Sequence, residues 1–472
     1  MRARGAAALA VLFALAGCDS GQIKESSLPP PHIISGPLIV PSACASRTQS
    51  PDHPGGPSLA VDPTNPRQLV AAWQENRSPD DVGNVVALSH DGGSSWSRAV
   101  LPSVLTCTGG PYTHATDPWV SIGLDGSVYV SALVTRSPSS AGTTRDIVVS
   151  ISRDHGATWE APAVLESLTA PPAQPDKDSI LADPRRPGVA YAVWVEYPVA
   201  ENAQPSVDRV VFARTTDAGH TWSKPASIYS GNDEAQEHQL LMTAGGVLLD
   251  VFVEGSSLPR TAHPPPLPVK IRVMRSTNQG QTWSQPIDAA SFTYTNATDP
   301  GTGGQLGFFG HQITAAAAGN AVYAAWFEDH RDFSTILIAR SEDAGLHWRP
   351  PQVVVREKPQ AFLPTLAVAG DATVGVLWFD VRHFTPGSSR LDTDVWFSTS
   401  RNRGARWTER HAAGPFDLRS APGGSLGPFI GDYLGLVGLP DGFAAVFIQA
   451  RPQSRNGPTD VFFSRIARAS SG

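Results

Sequence analysis

The chain has 472 residues, of which 17% are charged, and its formal net charge is −7 at pH 7. It contains no basic run, which argues against nucleic acid or an anionic membrane surface as a partner. Its 43 glycines and 42 prolines are typical of an all-β protein with many turns.

The first residues have the layout of an export signal. Residues 1–4 are basic, residues 6–14 are apolar, and the following Leu-Ala-Gly-Cys18 resembles the lipobox of bacterial lipoprotein signal peptides. The resemblance implies removal of residues 1–17, lipidation of Cys18 and a protein anchored in the cell envelope, on its periplasmic face or outer surface. An ordinary secretory signal is the alternative. Residues 18–35 are polar and end near prolines, which predicts a flexible tether.

Two cysteines remain, Cys44 and Cys107. In an oxidising envelope compartment a cysteine pair is more often bridged than catalytic, so we predict a disulfide between them. Two free thiols are the alternative.

From residue 57 onwards, short apolar runs alternate with turn signals, and no sustained helical period is present. The first unit contains four predicted strands, A to D, at residues 57–63, 68–75, 84–89 and 97–101. The same order recurs five times. A seventh unit, from residue 431 to 466, has only strands A to C, and we expect residues 36–40 to supply its missing outer strand.

One octet recurs between the predicted strands C and D, every 59 to 65 residues. Its frame is Ser/Thr-x-Asp/Asn-x-Gly, then two variable residues and Trp. The copies are Ser89–Trp96, Ser152–Trp159, Thr215–Trp222, Ser276–Trp283, Ser341–Trp348 and Ser400–Trp407. We expect Asp or Asn to accept backbone N–H groups, Gly to adopt a positive φ, and Trp to pack on the neighbouring sheet. The octets are therefore interpreted as scaffold.

The octet resembles the Asp-box, or BNR repeat, of the sialidase-like β-propellers, over residues 57–466. Together with the count of units it predicts an all-β, seven-bladed β-propeller that forms one domain over residues 36–468. A six-bladed ring of the sialidase type is the alternative.

Polar residues gather at the starts of the A strands and just after the B strands, and both places lie on the face opposite the octets. We expect them to form a central cleft for a glycan or another polar ligand. The candidate ligand-binding residues are Arg77, Asp117, Lys177, Asp178, His238, His311, Gln312, Arg331, Arg382 and Arg451.

In sialidases, an arginine triad binds the substrate carboxylate, an Asp is the acid/base, and a Tyr paired with Glu is the nucleophile. The resemblance implies that Arg331, Arg382 and Arg451 are candidates for the triad and Tyr433 for the nucleophile. The candidate catalytic residues are Asp80, Asp81, Glu328, Asp380, Asp432 and Tyr433.

Two classes of function remain open: a glycoside hydrolase, and a non-catalytic propeller that binds glycan or protein. The Arg-Ile-Pro motif with which sialidases open their first blade is absent from the sequence. Metal chemistry at His238, His311, Asp178 and Asp432 ranks last because no metal-ligand spacing supports it. We predict no cofactor, no metal and a monomer.

Overall fold

The computed structural model describes residues 28–37, 39, 53–78, 81–136, 142–199, 208–231, 233–255, 267–307, 312–330, 333–424, 427–454 and 457–468. Within these ranges the chain is all-β, with two short 3-10 helices and no α-helix. Seven four-stranded antiparallel blades form a β-propeller. The prediction of seven blades is confirmed, and the six-bladed alternative is wrong.

The strands are numbered in chain order. Blade 1 contains β2 (His53–Val61), β3 (Leu69–Ser78), β4 (Asp81–Ser89) and β5 (Ser97–Val100), and blade 2 contains β6 (His114–Ile122), β7 (Val128–Thr135), β8 (Thr143–Ser152) and β9 (Ala163–Ala170). Blade 3 contains β10 (Ala173–Ala182), β11 (Ala190–Pro198), β12 (Arg209–Thr215) and β13 (Ala226–Ser230), and blade 4 contains β14 (Glu234–Met242), β15 (Leu248–Gly255), β16 (Leu267–Ser276) and β17 (Ile287–Tyr294).

Blades 5 to 7 complete the ring. Blade 5 contains β18 (Thr314–Ala318), β19 (Ala321–Asp329), β20 (Ser334–Ser341) and β21 (Trp348–Glu357), and blade 6 contains β22 (Ala361–Val368), β23 (Val374–Asp380), β24 (Asp392–Ser400) and β25 (Thr408–Asp417). Blade 7 contains β28 (Gly435–Leu439), β29 (Gly442–Ala450), β30 (Thr459–Ala467) and, as its outer strand, β1 (His32–Ile33). A separate two-stranded sheet is formed by β26 (Gly423–Gly424) and β27 (Gly427–Pro428). Fully buried tryptophans on the second strands, such as Trp73 and Trp194, fill the space between blades.

The octets form the turns between the third and fourth strands of blades 1 to 6, and they share one hydrogen-bond pattern. In blade 3, the Thr215 hydroxyl donates to Asp217 Oδ1 at 2.8 Å and accepts the Gly219 N–H at 2.9 Å. Asp217 Oδ1 also accepts the Thr221 N–H at 2.9 Å. In blade 4, Asn278 uses its amide oxygen in the same way. The turn therefore requires an acceptor but not a negative charge.

The octet glycine also joins neighbouring blades. Its φ lies between 78° and 92° in the six copies, a left-handed conformation that favours glycine. It packs on the third strand of the preceding blade: a Cβ on Gly156 would stand 2.0 Å from Leu88, and one on Gly219 would stand 2.2 Å from Ile151. Each octet thus stabilises its own hairpin and the contact between two blades.

The N-terminal segment closes the ring. β1 pairs antiparallel with β30, and His32 lies opposite Phe463. Beyond β1, the Ser35 hydroxyl donates to Asp460 Oδ1 at 2.9 Å. The closing strand is therefore His32–Ile33 and not residues 36–40 as predicted. Gly36 turns the chain with a φ of 66°, and Pro37 has no N–H for a ladder, so a strand does not continue there.

Part of the predicted tether belongs to the ring. Leu28 and Ile34 are buried, and the Leu28 N–H donates to the His411 carbonyl oxygen at 3.0 Å. Ordered packing therefore includes residues upstream of the domain boundary predicted at residue 36.

Cys107 lies in a 3-10 helix, Thr106–Thr108, between the first two blades and is disulfide-bonded. Cys44 and Cys18 lie outside the described residues, so the pairing of Cys107 with Cys44 stays a prediction. In the part of the chain that the structure describes, no helix has the length and apolar character needed to span a membrane.

The octet geometry predicts that Asp217→Ala destabilises the protein and that Asp217→Asn does not. Alanine leaves Thr215 and Thr221 without their acceptor, which costs about 1–3 kcal/mol of unfolding free energy. Asparagine keeps the oxygen, as Asn278 does in blade 4. Thermal and urea unfolding of the two variants measure the difference. An equal loss in both would show that the turn depends on the charge.

Candidate functional site

Five inner strands carry a β-bulge near their start. At each bulge one residue has a left-handed φ of 50° to 59°, and these residues are Gly56, Asp117, Lys177, Glu237 and Leu363. Non-glycine residues seldom adopt this conformation, and such strain is concentrated at functional sites. The three charged residues belong to consecutive blades, 2 to 4, which makes these bulges candidates for a shared site.

Lys177 lies at the centre of a charged group. Its Nζ is 3.6 Å from Glu237 Oε1, 3.5 Å from Asp432 Oδ2 and 5.5 Å from the centre of the Tyr433 ring. Lys177 belongs to blade 3, whereas Asp432 and Tyr433 precede the inner strand of blade 7. These blades are not neighbours in the ring, so their side chains meet across its axis. The group therefore marks the central mouth of the propeller.

The ammonium group of Lys177 is a fixed positive charge. Burial by itself lowers the pKa of a lysine, but Glu237, Tyr433, Asp432 and Asp176 together hold the pKa of Lys177 well above its usual value. The side chain is 15% exposed. Lys177 is therefore protonated at neutral pH and acts as a donor and counter-ion, not as a nucleophile or base.

Carboxyl groups around Lys177 retain protons more readily than free ones. Burial raises the pKa of Asp117 to about 6, although Lys177 opposes the shift. Burial also raises the pKa of Glu237, again against Lys177, and it raises the pKa of Asp178 well above its usual range. Asp117 can therefore exchange a proton near pH 6, the range in which carboxyl groups serve as general acids or bases.

Two aromatic rings form one wall of the mouth. Trp119 and Tyr433 meet edge to face with ring centres 5.7 Å apart, and both are partly exposed. Gly56 lies beside the Tyr433 ring, since a Cβ there would stand 3.7 Å from it, an ordinary contact distance. Burial raises the pKa of Tyr433 well above its usual value, so the phenol is neutral and can donate a hydrogen bond.

The structure thus brings together Asp117, Lys177, Asp178, Asp432 and Tyr433, all of which we predicted as site residues. It adds two residues that sequence reasoning missed, Glu237 and Trp119. In an alignment of the repeat units, Glu237 occupies the same position as Asp117 and Lys177. This alignment was the sequence signal that could have identified Glu237 as a site residue.

Candidates that follow the second strands have local partners and do not join Lys177. The Arg382 guanidinium donates to Asp380 at 2.8 Å and to Glu409 at 2.7 Å, and it lies 3.7 Å above the Trp396 ring. Asp380 also accepts the indole N–H of Trp378 at 3.2 Å. Arg382 and Asp380 therefore bind each other and neighbouring side chains of blade 6, and the structure does not bring them to Lys177.

The same explanation holds in blades 5 and 7. Glu328 accepts the indole N–H of Trp326 at 3.3 Å and lies 3.6 Å from His330. Arg451 Nη1 is 3.4 Å from Asp460. In blades 5 and 6 an acidic residue two positions after a buried tryptophan thus accepts its indole N–H.

His238 is also structural. Its Nδ1 is 2.9 Å from Asp250, its ring stacks on Phe252 at 4.9 Å, and the side chain is fully buried. Gln312 is buried at the start of blade 5, and its amide has no hydrogen-bond partner among the described residues.

The other candidates cannot be placed. Asp80, His311 and Arg331 lie outside the described residues. Arg77 is in β3 and Asp81 begins β4, and for both only the backbone is described. Within the described ranges, no group of three His, Cys, Asp or Glu side chains is arranged to hold a metal ion.

No family model and no curated protein matches the chain. Among solved structures, it is similar to Trypanosoma rangeli sialidase in complex with 2,3-difluorosialic acid, with 12% identity and a TM-score of 0.43 over 93% of this chain and 59% of that one. The chain therefore spans about three fifths of that sialidase.

Two further similar structures are matched over nearly their whole length. The intramolecular trans-sialidase of Ruminococcus gnavus has 12% identity and a TM-score of 0.44, with 93% of this chain and 97% of that chain covered. The α-L-arabinanase of Penicillium chrysogenum has 12% identity and a TM-score of 0.46, with 93% and 98% covered. Similarity at this level concerns the fold and assigns no chemistry to residues of this chain.

The ion pairs predict that Lys177→Met destabilises the protein, and more strongly at high pH. Loss of the ammonium leaves mutually repelling carboxylates, at a cost of about 3–5 kcal/mol near pH 7.5. Because folding then raises the pKa of Asp117 and Glu237 further, the variant regains stability as the pH falls and these groups take up protons. Urea unfolding between pH 5 and 8 measures the effect, with the exposed Lys224→Met as control. A loss independent of pH would contradict it.

Proposed function

We propose that this protein binds a polar, glycan-type ligand in the central mouth of the propeller. The observation that carries the proposal is the meeting of Asp117, Lys177, Glu237 and Asp432 from four blades, next to partly exposed aromatic rings. Binding sites are typically concave places where a few polar groups converge beside apolar walls.

The chemistry of the mouth suits sugars. A sugar hydroxyl both donates and accepts hydrogen bonds, so carboxylates and an ammonium group can serve the same ring. Charged partners make these bonds stronger than neutral ones. Trp119 and Tyr433 offer flat apolar surfaces with polar edges, which can cover the less polar face of a pyranose.

An exo-glycosidase of the sialidase-like type is the second candidate function. The pKa of about 6 for Asp117 favours it, because such a carboxyl group holds a proton that can pass to a leaving oxygen. Tyr433 is the candidate nucleophile and would need a base, for which Glu237 is the nearby choice, since its charge acts on the phenol. Asp432 completes the candidate set.

We expect the full chain to bind glycans on an array and Trp119→Ala to weaken that binding at least tenfold. Val353→Ala, at an exposed position on an outer strand, is the matched control and should bind normally. Array measurements and titrations with the best glycan provide the readout. A protein that binds no glycan but retains a protein partner would contradict the proposal and support a protein-binding scaffold.

A panel of fluorogenic glycosides that includes sialosides separates binding from catalysis in the same samples. If the fluorophore is released, Tyr433→Phe and Asp117→Asn should each lower kcat at least 100-fold while glycan binding persists. Binding without release restricts the function to recognition.

We further propose that Cys18 is lipidated and anchors the propeller in the cell envelope. We expect the bacterially produced protein to incorporate radiolabelled palmitate and to enter the detergent phase on phase separation. Cys18→Ser should remove both properties and leave the protein in the aqueous phase. Cys107→Ser, at a cysteine that is disulfide-bonded in the propeller, should keep the label and the detergent partitioning. Label retained by Cys18→Ser would contradict the proposal.

A further inference from the structure

We propose that the central mouth takes a glycan with a free ammonium group, an amino sugar, in preference to a carboxylated sugar. This inference rests on the proposed glycan function. Four carboxyl groups, those of Asp117, Asp176, Glu237 and Asp432, act on one ammonium group, that of Lys177. Within the described part of the chain the mouth is therefore predominantly acidic, and an added anion is repelled there.

The ammonium group of Lys177 is not available for a ligand carboxylate. It lies between Glu237 and Asp432, at 3.6 and 3.5 Å, and above the Tyr433 ring. A ligand carboxylate would have to displace one of these partners and leave a buried carboxylate without its counter-ion, which is costly. A ligand ammonium group requires no such exchange.

Two of the three arginines expected to bind a carboxylated sugar, those that the structure describes, are bound elsewhere. Arg382 is held by Asp380 and Glu409, and Arg451 is paired with Asp460. Neither guanidinium group lies among the partners of Lys177. Bidentate recognition of a carboxylate depends on such a group.

A buried acceptor beside Lys177 provides an independent indication. Asp178 is 5% exposed, and its carboxyl oxygens make no regular hydrogen bond within the described residues. The fully buried Ser131 hydroxyl lies beside it in a looser contact that favours the ionised form, and Asp117 and Asp176 both act on Asp178 electrostatically. Buried polar groups are nearly always satisfied in native proteins. A ligand ammonium group supplies three N–H donors, and its positive charge would favour the ionised form of Asp178, in which both carboxyl oxygens accept.

The aromatic wall adds to the preference for a cation. The rings of Trp119 and Tyr433 adjoin the carboxyl groups, and the negative faces of aromatic rings attract cations. The same rings can pack against a pyranose, so one ligand satisfies both the wall and the acidic floor.

Three hexasaccharides of equal length test the inference on the full chain: the β-1,4 hexamer of glucosamine, its fully N-acetylated form, and hexagalacturonate. Titration calorimetry at pH 6.5 should show the glucosamine hexamer binding at least tenfold more tightly than the N-acetylated form, with hexagalacturonate weakest. Raising NaCl from 50 to 300 mM should weaken the first but not the second.

Variants locate the preference in the mouth. Glu237→Gln and Asp117→Asn should each reduce the glucosamine preference at least fivefold. Asp441→Asn removes the same charge at an exposed position paired with Arg465, and it should leave the preference unchanged. Circular dichroism and unfolding confirm that each variant is folded, and the salt series gives a result that requires no variant.

The possible failures are distinguishable. The inference is overturned, while glycan binding stands, if hexagalacturonate binds as tightly as the glucosamine hexamer or more tightly. It is also overturned if Asp441→Asn reduces the glucosamine preference as much as Glu237→Gln does. No binding by any hexamer together with a blank glycan array overturns the proposed function itself.

Discussion

A left-handed backbone position at the start of the inner strands determines what this ring can present at its axis. A regular strand directs its side chains alternately to the two faces of its blade, where neighbouring blades cover them. The bulge leaves one residue outside the ladder, and in blade 3 this residue is Lys177, which reaches the axis. In blades 1 and 6 the position holds Gly56 and Leu363, so the backbone is the same whether or not the side chain is charged. At this position the backbone conformation and the chemistry of the side chain are therefore independent of each other.

The mouth depends on the balance around Lys177. A lysine so deeply buried is stable only because carboxylates lie within reach, and the carboxylates tolerate their own burial only because the ammonium group is present. Burial raises the pKa of Asp117, Asp178 and Glu237, and the opposing effect of Lys177 on Asp117 and Glu237 does not cancel it. Among the described residues, this region combines strain, burial and excess charge of one sign, whereas Arg382 and Arg451 belong to balanced pairs.

Contacts between residues close together in the sequence could be predicted from it, whereas contacts between distant residues could not. The octets were recognisable because their hydrogen bonds join residues within four positions, so the same letters recur in every unit. Strand starts were expected to contribute Asp117, Lys177 and Asp432, and the structure brings these three together. A bulge, however, shifts the alternation of side chains by one residue, so no regular strand pattern indicates Glu237, and the neighbouring His238 was named instead. One partner of Arg382, Glu409, lies 27 residues away in an outer strand, and no local pattern distinguishes such a pair from a ligand-binding arginine.

The closing contact between the two ends of the chain has a consequence for the order of folding. Ser35 and Asp460 are 425 residues apart in the sequence. During synthesis, β1 therefore stays unpaired until the strands of blade 7 have been synthesised. Each of the first six blades can form as soon as its own four strands exist, because its hairpins are local. The seventh cannot, and the cost of bringing distant segments together makes its completion slow. A chain whose synthesis stops before blade 7 would thus form a nearly complete ring with two unpaired sheet edges. Such edges tend to pair with the edge of another copy.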